Sequence, residues 1–282
     1  MQLKPLPEGH HFSQTSLQDW LQCRRRFQYL YIRQMPYPAP VTADQIKYER
    51  HAEMGDTFHR LVHRHLVGID ATVLAAHIHD EQVRDWWQAY LMHGLTGLPT
   101  QRHAEVQLSA PLGGHRLLAK YDLIAADPGD RLIIVDWKTA LKRPSRATLE
   151  KRMQTVVYRY LLVEAGAYYN GGQPITPEQV EMIYWFTNYP TQPERLPYST
   201  AQYHADRALL ENLIREVSAE RLFPKVAEAD KDRVCRYCNF RSLCWDNVLA
   251  GAFADMFEVD DEPVPTDPGF DIDIDQIAEI EF

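Results

Sequence analysis

Asp136 and Lys138 stand two residues apart in Asp136-Trp137-Lys138-Thr139, directly after the apolar run Ile133-Ile134-Val135. On a strand, side chains two apart share one face, so a carboxylate and an ammonium would project together. A second carboxylate, Asp122, lies on the preceding apolar segment in Lys120-Tyr121-Asp122-Leu123. A hairpin at Asp127-Pro128-Gly129-Asp130 would bring Asp122 across to Asp136. Two carboxylates and a lysine are costly to assemble without a task. A hard divalent cation such as Mg2+, which takes oxygen ligands and keeps several waters, removes the repulsion. It can activate water and stabilise charge on a phosphodiester, while the lysine orients the water or offsets negative charge. An isolated Asp-x-Lys is more often a strand-end ion pair, so its company decides. Gln154 and Tyr158 lie four apart on the next helical segment and share a face. His59 follows Gly55 by four residues on an earlier one.

His59, His63 and His65 form His-x3-His-x-His, but Arg60 stands where a zinc protease needs glutamate, which excludes that chemistry. Helical histidines are usually packing or surface residues, and the spacing alone does not single out His59. The chain has four cysteines, Cys23, Cys235, Cys238 and Cys244. This is too few for a disulfide scaffold of such length. The last three read Cys-x2-Cys-x5-Cys, and Cys23 can supply a fourth thiolate. Such a set suits either zinc or an iron–sulfur cluster.

Taken in order, Gly55…His59, Asp122, Asp136-Trp137-Lys138-Thr139 and Gln154-x3-Tyr158 resemble the RecB-like branch of the PD-(D/E)xK nuclease superfamily. Ser16…Cys23-Arg24-Arg25-Arg26-Phe27…Tyr31 looks like the opening of that branch. The resemblance spans about residues 13–245. It implies an α/β fold with a restriction-endonuclease-like core, a mixed central sheet flanked by helices. A helical N-terminal part and a C-terminal iron–sulfur segment complete it. It also implies a metal-dependent DNA exonuclease acting on single strands or ends, with Mg2+ or Mn2+. Carried over residue by residue, His59, Asp122 and Asp136 would hold the metal, and Lys138 would orient water or supply charge. Gln154 and Tyr158 would position DNA or support the lysine. Glu105, a further acid on the same sheet, has at most a supporting part. One distant cysteine plus three clustered ones is similar to the iron–sulfur nucleases of this branch, the AddB nuclease domain and CRISPR-associated RecB-like exonucleases. That implies a 4Fe-4S cluster on Cys23, Cys235, Cys238 and Cys244 rather than zinc. Partners would be DNA and proteins of repair, recombination or CRISPR adaptation. The alternatives are a non-catalytic DNA-binding subunit that kept the fold, and a structural zinc module of a larger repair complex.

The elements that must position these residues follow from periodicity. Ser16 to Asp19 resembles a capping box, and the apolar spacing predicts a helix to about Ile32, stopped by Pro36, Pro38 and Pro40. Helices are expected over 45–67, 72–93, 146–165 and 201–222. Strands are expected over 104–109, 116–125, 131–137 and 180–186, the first three as an antiparallel meander.

Composition sets the outer limits. The 282 residues, 45% hydrophobic and 24% charged, suit one globular domain plus appendages. No apolar stretch is long enough for a membrane span, and no Gly-x4-Gly-Lys-Ser/Thr loop marks a helicase motor. No signal-like opening is present, so cytoplasm is the expected compartment. The net charge is −9, but eleven acids and no base lie from Asp255 onward. The rest carries 30 bases against 28 acids, leaving room for a basic groove. Residues 1–254 are read as the nuclease domain and 255–282 as an acidic, disordered tail. Arg24, Arg25, Arg26, Lys142, Arg143, Arg146, Lys151 and Arg152 are candidate phosphate contacts. Tyr237, Phe240 and Trp245 are candidate stacking residues.

Overall fold

The computed structural model describes residues 6–7, 9–35, 43–236 and 238–245. The proline stop at 36–40, Tyr237 and the acidic segment 255–282 lie outside the described residues. A short strand β1 (His11–Ser13) opens the fold and runs into α1 (Gln14–Gln22). The capping box is Ser13 with Ser16: the Ser16 amide donates to Ser13 Oγ at 3.2 Å and the Ser13 amide to Ser16 Oγ at 2.9 Å. Asp19, expected in the cap, is buried instead. It takes the Tyr31 hydroxyl and the Arg26 guanidinium, each at 2.8 Å. The expected single helix to Ile32 is broken at Cys23, whose backbone is extended (φ −159°). After it come α2 (Arg24–Phe27) and one wide π turn over Gln28–Ile32.

Helix α3 (Ala43–Leu66) matches the expected second helix. The predicted helix over 72–93 is split into α4 (Ala71–Ala75) and α5 (Glu81–Ala89), with a π turn to Gly94. Asp80 causes the split by capping α5, accepting from the amides of Gln82 and Val83. The meander is β2 (Gln101–Leu112), β3 (His115–Asp127) and β4 (Arg131–Lys138). Its first turn is Gly113-Gly114, both at positive φ (59° and 81°) as a two-residue hairpin turn requires. The helix over 146–165 is two pieces, α6 (Arg146–Lys151) and α7 (Met153–Ala165), divided by extended Arg152. Then follow β5 (Val180–Phe186), β6 (Glu194–Pro197) and α8 (Thr200–Ala219), capped by Ser199. Two short helices end the described chain, α9 (Lys231–Val234) and α10 (Arg241–Cys244).

The strands form one mixed sheet in the order β1-β3-β4-β5-β6, with β2 paired to β3. Strand β4 runs antiparallel to β3 and parallel to β5, so the crossover through α6 and α7 lies between two neighbours. Strand β3 changes partner partway. It pairs with β1 over Arg116–Leu118 and with β4 over Leu123–Asp127. Residues 119–122 lie in the fork between those two ladders.

Each face of the sheet carries its own core. On one face Leu132, Ile134, Tyr184 and Phe186 pack with Val157, Tyr160 and Leu161 of α7, Ile214 of α8 and Leu17 of α1. On the other, Ile133, Val135, Trp137 and Trp185 pack with Phe58 and Val62 of α3 and with Trp86, Trp87 and Tyr90. Truncating any of those buried aromatics to alanine would cost about 3–5 kcal/mol. The result is the expected mixed sheet flanked by helices. Among the described residues no helix is long and apolar enough to cross a membrane.

Candidate functional site

The fork in the sheet positions the acids. Along β3, Tyr121 faces the α7 core while Leu123, two residues on, faces the α3 core. Strict alternation is therefore broken at Asp122. The β3–β4 ladder ends at Leu123↔Val135, so Asp122 and Asp136 are the next residues beyond its last rung. The Asp122 carboxylate reaches over the strand end and accepts the Trp137 amide at 3.0 Å. The two acids are thus linked through the backbone of the Asp-Trp-Lys segment.

Each acid is also held from one helical layer. From α3, His59 Nδ1 lies 3.4 Å from Asp122 Oδ2. From α7, Gln154 Nε2 donates to Asp136 Oδ1 at 2.8 Å. Lys138 Nζ is 2.6 Å from Asp136 Oδ2, and both residues are buried, at 8% and 3% exposure. Burial alone would lower the His59 pKa, but the charge of Asp122, its hydrogen bond and the charge of Asp136 outweigh it and raise the value to about 9. Burial likewise pushes Asp122 up, but His59, the Trp137 amide and Lys138 together hold it below the ordinary carboxylate range. Removing ions from water costs several kcal/mol each, and a buried pair is often no more stabilising than apolar residues of the same volume. Such a constellation in a sheet fork is where function is expected.

The sequence-predicted residues His59, Asp122, Asp136, Lys138 and Gln154 are therefore brought together. Tyr158, expected to position DNA or support the lysine, bonds the backbone of β3 beside the site. Its hydroxyl donates to the Lys120 carbonyl at 2.6 Å, and its own carbonyl accepts the Tyr121 hydroxyl at 2.9 Å. It fastens the β3 backbone where the fork leaves it without a β4 partner. Tyr184 was not anticipated. It lies beside Asp136 in the β4–β5 register and donates to Gln154 Oε1 at 3.3 Å, with Thr155 Oγ1 at 2.7 Å. A hydroxyl-bearing ring on the otherwise apolar α7 face of β5 was the available signal. His51 of α3 also bonds the strand end, with Nε2 3.1 Å from the Thr139 carbonyl.

Cys23 lies near the start of the described residues and Cys235, Cys238 and Cys244 near their end, close enough for their charges to interact. Cys23 is the N-cap of α2, Cys235 follows α9, and Cys244 ends α10. Burial raises the thiol pKa of Cys235, Cys238 (to about 11) and Cys244, and Cys23 adds to all three. Arg26, Lys231, Arg25 and Lys225 pull the other way. The Tyr29 hydroxyl is 3.9 Å from Cys244 Sγ. Among the described residues no group of three or more His, Cys, Asp or Glu side chains closes into a metal-holding set.

Several candidate nucleic-acid contacts have other occupations. Arg24 pairs with Glu216 and Glu220, and Arg26 with Asp19. Arg143 and Arg146 share Glu194. Phe240 is buried against Tyr29 and is a core residue rather than a stacking platform. Trp245 is covered by the ammonium of Lys225, 3.6 Å above its ring.

No curated protein matches the chain. Among solved structures, the chain is similar to the protein SSO0001, with 15% identity, TM-score 0.40, and 85% of this chain and 87% of that one covered. It is also similar to a protein of Eubacterium rectale solved under the name "Putative exonuclease", with 9% identity, TM-score 0.47, and coverage of 87% and 92%. The family model of the PD-(D/E)XK nuclease superfamily matches residues 11–245, and the chain belongs to that superfamily.

Proposed function

We propose that the protein is a metal-dependent DNA exonuclease that hydrolyses phosphodiester bonds of single strands or DNA ends, in repair, recombination or CRISPR adaptation. The observation that carries this reading is the buried Asp136, bonded at once to Lys138 and Gln154, next to an Asp122 held by His59. Nucleases of this superfamily generally use Mg2+ or Mn2+. The donor types, two carboxylates and an imidazole, suit such an ion, and His59, Asp122 and Asp136 would hold it once drawn closer than they stand here, where they do not close into a three-ligand set. When bound, a divalent ion supplies Lewis acidity and makes water acidic enough to attack at neutral pH.

The protein's own groups do the rest. Lys138, ion-paired to Asp136, orients water and offsets negative charge on the phosphate. Gln154, itself held by Tyr184, fixes the rotamer of Asp136. Tyr158 fixes the strand that presents Asp122. The alternative, a DNA-binding subunit without catalysis, would have no use for a buried Lys–Asp pair. Digestion of end-labelled single-stranded DNA separates the two. The enzyme cuts with Mg2+ or Mn2+, not with EDTA, and Lys138→Ala abolishes cutting. Binding without cutting under any metal refutes the enzyme.

The cysteines are read as ligands of a 4Fe-4S cluster with a structural task. Four thiols within electrostatic reach, surrounded by Arg25, Arg26, Lys225 and Lys231, fit an anionic thiolate centre. The cluster would fasten α2 to α9 and α10. Protein purified without oxygen should be brown, whereas a zinc protein is colourless. Cys235→Ala should lose colour and solubility together; a colourless, zinc-loaded wild type would refute the cluster.

A further inference from the structure

Glu105 sits inside β2 with φ +55°, in the left-handed region that side chains other than glycine rarely adopt. The ladder to β3 is regular on both sides, Ala104↔Leu123 and Val106↔Tyr121, so the residue across from Glu105 in that register is Asp122. Backbone strain of this kind persists only where the surroundings enforce it, and it gathers at functional sites. The Glu105 carboxylate is bonded to the Lys120 ammonium. That pair is partly exposed, and exposed pairs contribute little to stability. Its strength therefore does not explain the strain.

Lys120 is held twice, its carbonyl by Tyr158 of α7 and its ammonium by Glu105 of β2. It precedes Asp122 by two residues, about 7 Å along a strand. It lies in the fork that β1 leaves at Leu118 and β4 enters at Leu123. Its side chain stays 46% exposed. An ammonium has three donors, so the carboxylate leaves capacity for another anion. Arg143 and Arg146, which follow the Asp-Trp-Lys strand, are drawn together onto Glu194.

We propose that Lys120 contacts a backbone phosphate of the nucleic-acid strand entering the site, and that Glu105 is the positioning residue that aims it. The proposal rests on the nuclease reading above.

The test is fluorescence anisotropy of a labelled single-stranded oligonucleotide with full-length protein, Ca2+ replacing Mg2+, over a series of salt concentrations. Lys120→Gln should weaken binding about 5-fold at low salt. It should also make the slope of log K against log salt shallower by about 0.7, the loss of one single-strand phosphate contact. Lys120→Arg should restore the slope. Glu105→Gly relaxes the backbone, so it should melt no lower than wild type while cutting more slowly. Combined with Lys120→Gln it should cost nothing further, as two residues acting through one contact require. If wild type binds and cuts DNA and Lys120→Gln keeps the wild-type slope, the phosphate contact is refuted and the nuclease reading stands. If the Glu105→Gly and Lys120→Gln losses are additive, the positioning part is refuted. Wild type that neither binds nor cuts DNA removes the nuclease reading, and this proposal with it.

Discussion

The Tyr158 hydroxyl donates to the backbone carbonyl of Lys120 at 2.6 Å, two residues before Asp122. A side chain from α7 thus bonds the β3 backbone at the fork between β1 and β4. The aromatic ring packs against Tyr121, with centroids 4.7 Å apart, so Tyr158→Phe keeps the packing and removes only the hydroxyl's hydrogen bonds, to the Lys120 carbonyl and to Gln154. The expected outcome is a fall in kcat of about 10-fold with KM little changed, since the positioned group is the acid rather than a substrate contact. Unfolding should become easier by about 1 kcal/mol, the net worth of one part-buried hydrogen bond. Steady-state kinetics and urea melts check the two halves separately.

Gly55 faces the strand end from the opposite layer. A Cβ there would lie 3.0 Å from Thr139 Oγ1, the residue after Lys138. Gly55→Ala must displace that hydroxyl by a few tenths of an ångström, which should cost about 1 kcal/mol and slow cutting several-fold. Gly55→Val should do far more damage. Thr139→Ala removes the obstructing hydroxyl, so the Gly55→Ala/Thr139→Ala double variant should recover much of the loss. Additive losses in that cycle would show that the close approach is unimportant.

Much of this site is legible in the sequence, because its chemistry rides on short regular elements. The Asp-x-Lys strand and the Gln-x3-Tyr helix face each follow from a local period, and both are found where expected. The fork is not legible. Strand β1 is three residues long, too short to show alternation, and its parallel pairing to β3 is a long-range contact. The break of alternation at Asp122 comes from that same partner change. The breaks at Cys23 and Arg152 are hidden because both residues sit inside apolar patterns that continue on either side. Tyr184 escaped notice because its role depends on lying beside Asp136 across two strands.

His10 should give the fold a distinct pH signature. Its ring is packed edge-on against Phe12, Phe27 and Tyr31. Burial, then the neighbouring charges of His115 and His11, lower its pKa from 6.5 to about 4. The unfolded chain therefore binds a proton below pH 6.5 that the native state refuses until about pH 4. This contribution is fully present above pH 6.5 and is lost as pH falls toward 4, with a slope of up to about 1.4 kcal/mol per pH unit. In urea melts across that window, His10→Phe should depend less steeply on pH than wild type. Parallel curves would show that His10 titrates normally in the fold.

Asp122, Asp136 and Lys138 should act as one hydrolytic centre. Single-turnover cutting of end-labelled single-stranded DNA in Mg2+ or Mn2+, measured beside binding of the same DNA, tests it most directly. Asp136→Asn preserves shape and the Gln154 contact while removing the charge. It should lose cutting by about 10²–10³-fold or more while still binding DNA. Cutting at the wild-type rate by Asp136→Asn would contradict it.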